Sequence, residues 1–206
     1  SATRIDPGLP ELELRMKCFL TTTLLGLASC LAVPAITPTL TYDSAQPLTA
    51  GGTPIDLGNH AAQRLVDWNH DGVLDLLVAG GDGYIWLFSQ DKTTNSTDFL
   101  PSVHVLDSGL AVRVGTGYSG ACFGDIDGDG KPDLIAAGND NRLRFYHNTG
   151  NLAAPTFAGF TIVPGPVGQF VVPANVGGRI DIADWDGDGK LDLLTGEFEG
   201  YITWYR

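Results

Sequence analysis

The chain has 206 residues, a formal net charge of −12 and a hydrophobic fraction of 43%, whereas only 17% of its residues are charged. This length suits one domain or two small ones, and the apolar content is enough for a core, which excludes a disordered acidic tail. The acidic balance argues against nucleic acid as a partner, because phosphate binding needs clustered Lys and Arg, and it favours cations. The 27 glycines and 12 prolines predict many turns and short strands.

The first 35 residues are predicted to lie outside the folded domain. Met16 and Lys17 precede an apolar run at residues 18–28, which is typical of a secretory signal and too short to span a bilayer as a helix. Residues 1–15 have no place in a signal peptide and are interpreted as an extraneous upstream segment. We therefore expect residues 16–35 to be a signal peptide and the protein to be secreted or displayed at the cell surface.

Two alternatives remain for the end of this signal. The segment at residues 27–30, Leu-Ala-Ser-Cys, resembles the lipobox of bacterial lipoproteins, in which Cys30 would carry a lipid anchor. The other alternative is ordinary cleavage after Ala32 or Ala35. Only Cys122 remains in the mature body, so no internal disulfide is expected, and its apolar neighbours predict a small core residue rather than a nucleophile.

Three segments of the remaining chain superpose and define a repeat. Their first aspartates, Asp67, Asp125 and Asp184, are 58 and 59 residues apart. An apolar run ended by Gly follows each aspartate-rich loop, and an alternating aromatic and aliphatic stretch begins nine residues after the last Asp of the loop. These stretches are Tyr84–Phe88, Arg142–Tyr146 and Tyr201–Tyr205.

Each repeat is predicted to be a unit of short β-strands. Apolar stretches lie before and after the loop, the alternating stretch forms a third strand, and a weaker fourth strand is expected near Ser102–Leu106 and Phe160–Val163. Four antiparallel strands, repeated, predict an all-β fold of propeller blades with three repeats. The predicted units are an N-terminal extension at 36–57 and repeats at 58–116, 117–176 and 177–206, the last incomplete.

Three blades are too few for a closed propeller, because known propellers have about four to eight. We therefore expect a partial propeller or part of a larger ring. The chain would then be a fragment of a longer protein, or copies of it would self-associate. A third alternative is that residues 36–57 fold back to supply the missing strand.

The loops themselves follow the pattern Asp-x-(Asp/Asn)-x-Asp-Gly-x-x-Asp, and they hold eleven of the 24 acidic residues. A hard divalent cation takes six to eight oxygens at about 2.3–2.6 Å, and oxygens at positions 1, 3 and 5 of a curled loop can point to one centre. Gly at position 6 permits the sharp turn, position 7 offers its carbonyl, and Asp at position 9 closes the site. Carboxylates this close would repel each other without a cation, so the loops predict up to three Ca²⁺ ions.

Other metal sites fit these loops less well. An EF-hand needs a Glu at position 12 and flanking helices, whereas position 12 is Val78, Ala136 and Thr195 here. No His or Cys converges on a loop in the sequence, which argues against zinc and copper.

The pattern resembles the FG-GAP/VCBS repeat family of integrin α-like, calcium-loop β-propellers, which also includes lectin-like proteins, and the resemblance covers residues 58–206. The pair Phe123-Gly124 before the second loop matches the family name. The resemblance implies a calcium site between the first two strands of each blade. By this resemblance the metal ligands are Asp67, Asn69, Asp71, Val73 and Asp75; Asp125, Asp127, Asp129, Lys131 and Asp133; and Asp184, Asp186, Asp188, Lys190 and Asp192. The first loop departs from this pattern, with Asn69 in place of an Asp and His70 in place of a Gly, and we expect its one charge fewer to weaken that site.

Two classes of function stay open. The first is an adhesion or binding module for carbohydrate or protein ligands, and the second is a fragment of a secreted, propeller-type polysaccharide hydrolase or lyase. The sequence contains no Gly-x-Ser-x-Gly elbow, phosphate loop or Cys–His arrangement, which favours binding over catalysis. Trp68 and Trp185, at position 2 of their loops, could stack on sugars, but packing beneath the loop is the preferred interpretation because Ile126 takes the same place in the second repeat.

Overall fold

The computed structural model of the chain describes residues 44–93, 97–140, 142–163, 179–196 and 200–206. The predicted upstream segment at 1–15, the signal peptide at 16–35 and its Cys30 lie outside these residues. Every regular element in the described part is a β-strand. None of the described residues forms a helix of the length and apolar character needed to cross a membrane.

The strands form two short hairpins and three antiparallel sheets. The first hairpin pairs β1 (Thr49–Ala50) with β2 (Thr53–Pro54). Sheet 1 contains β3 (Ala62–Val66), β4 (Asp75–Ala79), β5 (Ile85–Phe88) and β6 (Val103–His104), in that order. The second hairpin pairs β7 (Leu106–Asp107) with β8 (Leu110–Ala111). Sheet 2 contains β9 (Gly120–Gly124), β10 (Asp133–Ala137), β11 (Leu143–Tyr146) and β12 (Thr161–Ile162). Sheet 3 contains β13 (Ile180–Ala183), β14 (Asp192–Gly196) and β15 (Ile202–Tyr205).

The second strand of each sheet explains the apolar runs of the sequence. Successive side chains of a strand point to opposite faces, so a strand that is covered on both faces needs an uninterrupted apolar run. In β4, Leu76 and Val78 belong to one buried cluster, whereas Leu77 and Ala79 belong to another. Every residue of β4 and β10 is buried, so sheets 1 and 2 are both covered on their two faces along these strands.

Consecutive sheets pack face to face. We call the face toward the next sheet in the chain the trailing face and the opposite face the leading face. The trailing face of sheet 1, with Leu77, Ile85 and Leu87, shares a buried cluster with Leu134 and Tyr146 on the leading face of sheet 2. The trailing face of sheet 2 shares another with Ile180 and Leu193 of sheet 3 in the same way. The repeat in sequence is therefore also a repeat in packing.

The two hairpins are equivalent parts of this repeat. Both close through two-residue turns with positive φ, at Gly51 and Gly52 in the first hairpin and at Ser108 and Gly109 in the second. Such turns match the twist of the strands that they join. Each hairpin is bridged to a buried phenylalanine, through Ala50 to Phe99 and through Asp107 to Phe157. The residues after each hairpin enter the cluster on a leading face.

The all-β prediction is confirmed, and sheets 1 and 2 have the predicted four antiparallel strands, including the weak fourth strands. Sheet 3 has three strands among the described residues, which show no closed ring. Cys122 is buried, as predicted for a core residue. Its burial raises the pKa of the thiol to about 12.

Candidate metal centres

Each aspartate-rich loop joins the first two strands of a sheet at the same register. Position 9 of the loop is the first residue of the second strand, and it pairs across the sheet with the last residue of the first strand. These pairs are Val66 with Asp75, Gly124 with Asp133, and Ala183 with Asp192. Because the strands fix both ends of the loop, its nine residues must curl into a tight turn.

Side-chain to backbone hydrogen bonds shape all three loops alike. The position 6 amide donates to the position 1 carboxylate at 3.0 Å in each loop. The position 5 amide donates to the position 3 side chain at 3.1–3.2 Å, and the position 7 amide donates to position 5 at 2.8–2.9 Å. Local bonds of this kind are the turn chemistry of Asp and Asn. The side chains at positions 1, 3 and 5, which are carboxylates except for Asn69, are therefore held by the loop's own backbone.

Two positions of each loop adopt left-handed backbone conformations. At position 6, Gly72, Gly130 and Gly189 have φ near 85°, as the sequence pattern predicts. At position 4, Gly128 and Gly187 have φ of 78° and 76°, and His70 adopts φ 53° in the first loop. A side chain costs roughly 1 kcal/mol or more in this region. The sequence showed that His70 replaces a Gly at position 4, but the left-handed conformation of this position was not predicted from it.

The aspartate at position 9 is buried in each loop. Asp133 accepts hydrogen bonds from the amides of Ile126 (3.3 Å) and Asn148 (2.8 Å). Asp75 accepts the same two bonds in the first loop, from Trp68 and Gln90. Burial raises the pKa of both carboxyls above the ordinary value, in spite of these hydrogen bonds, and neighbouring loop carboxylates raise it further. A carboxylate that is buried among like charges is destabilised unless a cation neutralises it.

In the second and third loops the predicted side chains of positions 1, 3 and 9 come together, whereas Asp129 and Asp188 at position 5 are not part of these groups. Carboxylate oxygens of Asp125, Asp127 and Asp133 lie within 4.8 Å of one another. The same distance encloses oxygens of Asp184, Asp186 and Asp192.

In the first loop the side-chain oxygen of Asn69 accepts a hydrogen bond from the backbone amide of Asp71 at 3.2 Å. Asp127 accepts the equivalent hydrogen bond in the second loop. Asn69 thus holds the same place with one negative charge fewer.

Basic side chains that the sequence did not flag also reach these carboxylates. His147 Nδ1 lies 2.9 Å from Asp127 in the second loop, and Arg206 Nε lies 2.8 Å from Asp186 in the third. His147 and Arg206 occupy the same position of the repeat, directly after the third strand, so aligning the repeats could have found them. Lys131 Nζ lies 3.0 Å from Asp129, and this contact lowers the pKa of that carboxyl.

The donor set of each loop fits a hard cation. Carboxylate, amide and carbonyl oxygens are the ligands that Ca²⁺ prefers, and the alternating positions supply them from one turn. The buried position 9 carboxyl lies beside other loop carboxylates, and basic side chains approach position 3 in the second and third loops, as expected for loops that carry excess negative charge. His147 adds one nitrogen near the second loop, in a group with Asp127 and Asp129. The residues present therefore fit a calcium ion in each loop.

Position 2 of the loop is not a uniform buried slot, and the prediction that both tryptophans pack beneath the loop is wrong for Trp185. Trp68 stacks on Phe123 of the next sheet with ring centroids 4.4 Å apart, and Ile126 packs against the cluster between sheets 2 and 3. Trp185 is 66% exposed. Position 2 is partly buried where a following sheet covers it, and no described residue plays that part for Trp185.

The family comparison agrees with this geometry. A family model described as FG-GAP-like repeat matches the chain twice, at residues 67–136 and 125–195, so that the two matches include all three loops. A search of curated proteins finds no match to the chain. The matches cover more than half of the sequence, and the chain belongs to the FG-GAP-like repeat family.

Proposed function

We propose that this chain is an exported calcium-binding repeat protein that acts as a binding or adhesion module for carbohydrate or protein ligands. Its three loops hold up to three Ca²⁺ ions through Asp67, Asn69, Asp71 and Asp75 and their equivalents in the other two repeats. The observation that carries the proposal is the convergence of carboxylate oxygens within 4.8 Å in the second and third loops, where each loop includes a buried aspartate.

Calcium has a structural role in this proposal. Each loop joins two strands at one edge of its sheet, and a bound ion neutralises carboxylates that otherwise repel each other. The loop backbone is already curled by its own hydrogen bonds, so the cation adds rigidity to a preformed turn. A rigid edge of three equivalent loops is a suitable surface for a ligand, because less conformational entropy is lost on binding.

The experiment is a calcium titration of the purified chain by calorimetry, accompanied by thermal melting. We expect up to three ions with dissociation constants on the order of 10⁻⁴ to 10⁻³ M, the range of extracellular calcium modules. Calcium at 100 times the dissociation constant should stabilise the fold by about 2.7 kcal/mol per site. A chain that binds no calcium and melts at the same temperature with and without millimolar calcium would contradict the proposal.

A glycan and polysaccharide panel, scored for both binding and cleavage, tests the ligand part of the proposal. Calcium-dependent binding without cleavage is expected for a binding module. Release of sugar products would instead support the hydrolase or lyase alternative. The two parts fail separately, because calcium binding is measured without any ligand.

A further inference from the structure

The trailing face of sheet 3 is exposed at positions that are buried in the other two sheets. Ile202 is 79% exposed, whereas its equivalents Ile85 and Leu143 are fully buried. Trp204 is 44% exposed, whereas its equivalent Leu87 is buried against sheet 2. These residues are apolar because they continue the repeat, and they form an aromatic and aliphatic surface that nothing in the described chain covers.

The loop of sheet 3 also exposes an aromatic side chain whose equivalent in the first loop is packed. Trp68 stacks on Phe123, which lies two residues before the loop of the following sheet. Trp185 occupies the place of Trp68 and is exposed, so no described residue gives it the aromatic contact that its equivalent makes. The corresponding contact would come from the residue two positions before a loop.

The opposite end of the series exposes that residue. Leu65, two positions before the first loop, is the equivalent of Phe123 and is 62% exposed. Leu48, just before the first hairpin, is 51% exposed, whereas Val105 before the second hairpin is buried between sheets 1 and 2. On the leading side of sheet 1, Leu65 and Leu48 are thus exposed, whereas the core of that face, with Leu76 and Phe88, is already buried under residues that include Ile55 and Leu57.

The exposed residues of these two surfaces are equivalent to residues that meet where sheet 1 joins sheet 2: Trp185 to Trp68, and Leu65 and Leu48 to Phe123 and Val105. We propose that two copies of this chain associate head to tail, with the trailing face of sheet 3 in one copy docking on Leu65, Leu48 and the first hairpin of the other. Trp185 of one copy then packs on Leu65 of its partner, as Trp68 packs on Phe123 within the chain.

The head-to-tail arrangement covers both open surfaces at once. Two trailing faces placed against each other would bury Trp185 but leave Leu65 and Leu48 exposed. Repeated in both directions about a twofold axis, the head-to-tail contact gives a ring of six sheets, which lies within the usual range for propellers. The first hairpin does not obstruct the contact, because the residues that flank the equivalent second hairpin, Val105 and Val112, are buried in the junction of sheets 1 and 2.

Sedimentation equilibrium of the whole chain over a wide concentration range, with and without calcium, tests the proposal. We expect a species of twice the chain mass of 21.8 kDa. Leu65→Asp and Trp185→Asp should each raise the dimer dissociation constant by about tenfold or more, because each buries a charge in an apolar contact. Leu110→Asp is the matched control, since Leu110 is 75% exposed on the second hairpin and belongs to neither surface, and it should leave the dimer intact.

A disulfide experiment tests the pairing itself, in a background where Cys18 and Cys30 are replaced by Ser. A mixture of the Leu65→Cys and Trp185→Cys variants should form a mixed disulfide dimer on oxidation, whereas Trp185→Cys alone should not. A monomer at all concentrations overturns the proposal, as does a dimer that neither Asp variant weakens. A disulfide dimer of Trp185→Cys alone overturns the head-to-tail pairing in favour of two facing trailing faces.

Discussion

Asp127→Asn should change the protein in opposite directions with and without calcium. The substitution gives the second loop an Asn at position 3, as in the first loop. In the native chain the Asp127 carboxylate accepts a hydrogen bond from the Asp129 backbone amide at 3.2 Å, and the Asn side-chain oxygen can accept the same bond. Only the negative charge is removed. Oxygens of Asp125 and Asp133 lie within 4.8 Å of Asp127, where two unit charges repel by about 1 kcal/mol even at the dielectric constant of water.

The calcium-free fold should therefore keep or slightly raise its melting temperature. The lost contact with His147 is partly exposed, and such pairs contribute roughly 0–1 kcal/mol. In calcium the loss of a charged ligand should weaken this site by about tenfold. At a concentration that is 100 times the original dissociation constant, its stabilisation then falls from about 2.7 to about 1.4 kcal/mol. That difference corresponds to roughly 3–5 °C for a protein of this size.

Thermal melting in EDTA and in calcium, together with calorimetric titration, measures both effects. Asp56→Asn is the matched control. Asp56 is an exposed aspartate outside the loops, and its carboxylate also accepts a hydrogen bond from the backbone amide two residues later, that of Gly58, at 2.9 Å. The control should not alter the calcium response. If Asp127→Asn lowers the melting temperature equally in EDTA and in calcium, the carboxylate acts through local structure and the charge argument is refuted.

Three further outcomes follow from the same geometry. Replacing Asp127 or Asp186 by Ala should reduce calcium affinity more than Asn69→Ala does, and calorimetry that ranks Asn69→Ala as the most damaging would contradict the charge count. Because burial raises the pKa of Asp75 and Asp133 above 3.8, their contribution to calcium-free stability is present below pH 3.8 and lost as the pH rises through the raised values, whereas calcium affinity should increase over the same rise. A calcium affinity that stays constant as the pH is raised from 3.8 would be inconsistent with this. Gly138→Ala should destabilise the fold by about 1–3 kcal/mol, because its Cβ would lie 1.9 Å from the Val114 carbonyl oxygen. Gly196→Ala is the control, because a Cβ at that position meets only ordinary contacts. Equal denaturation midpoints for the two variants would argue against the close approach of Gly138 to the Val114 backbone.

The sequence predicted the strands and loops well because both depend on local patterns. The apolar runs after each loop had to be covered on both faces, and the position 6 glycines had to adopt positive φ. These requirements repeat three times, so one interpretation could be checked against the other two. The fourth strands were predicted from weaker patterns and are only two residues long.

The sequence could not predict features that depend on whether a following sheet covers a residue. Trp68 and Trp185 are the same residue at the same place in the repeat, yet one is packed and the other exposed, because only Trp68 has a following sheet against it among the described residues. The first hairpin was missed as part of the repeat, since its two-residue strands share little sequence with the second beyond Gly52 and Gly109. His147 and Arg206, which an alignment of the repeats could have flagged, reach the loops from the end of the third strand of the same sheet.

A crystal structure of the chain grown in millimolar calcium tests the central claim most directly. We expect an ion in each of the three loops, coordinated at about 2.3–2.6 Å by oxygens from positions 1, 3, 5, 7 and 9, with the weakest occupancy in the loop of Asn69. In such a structure, loops that keep their side-chain hydrogen bonds and contain no ion would contradict the claim.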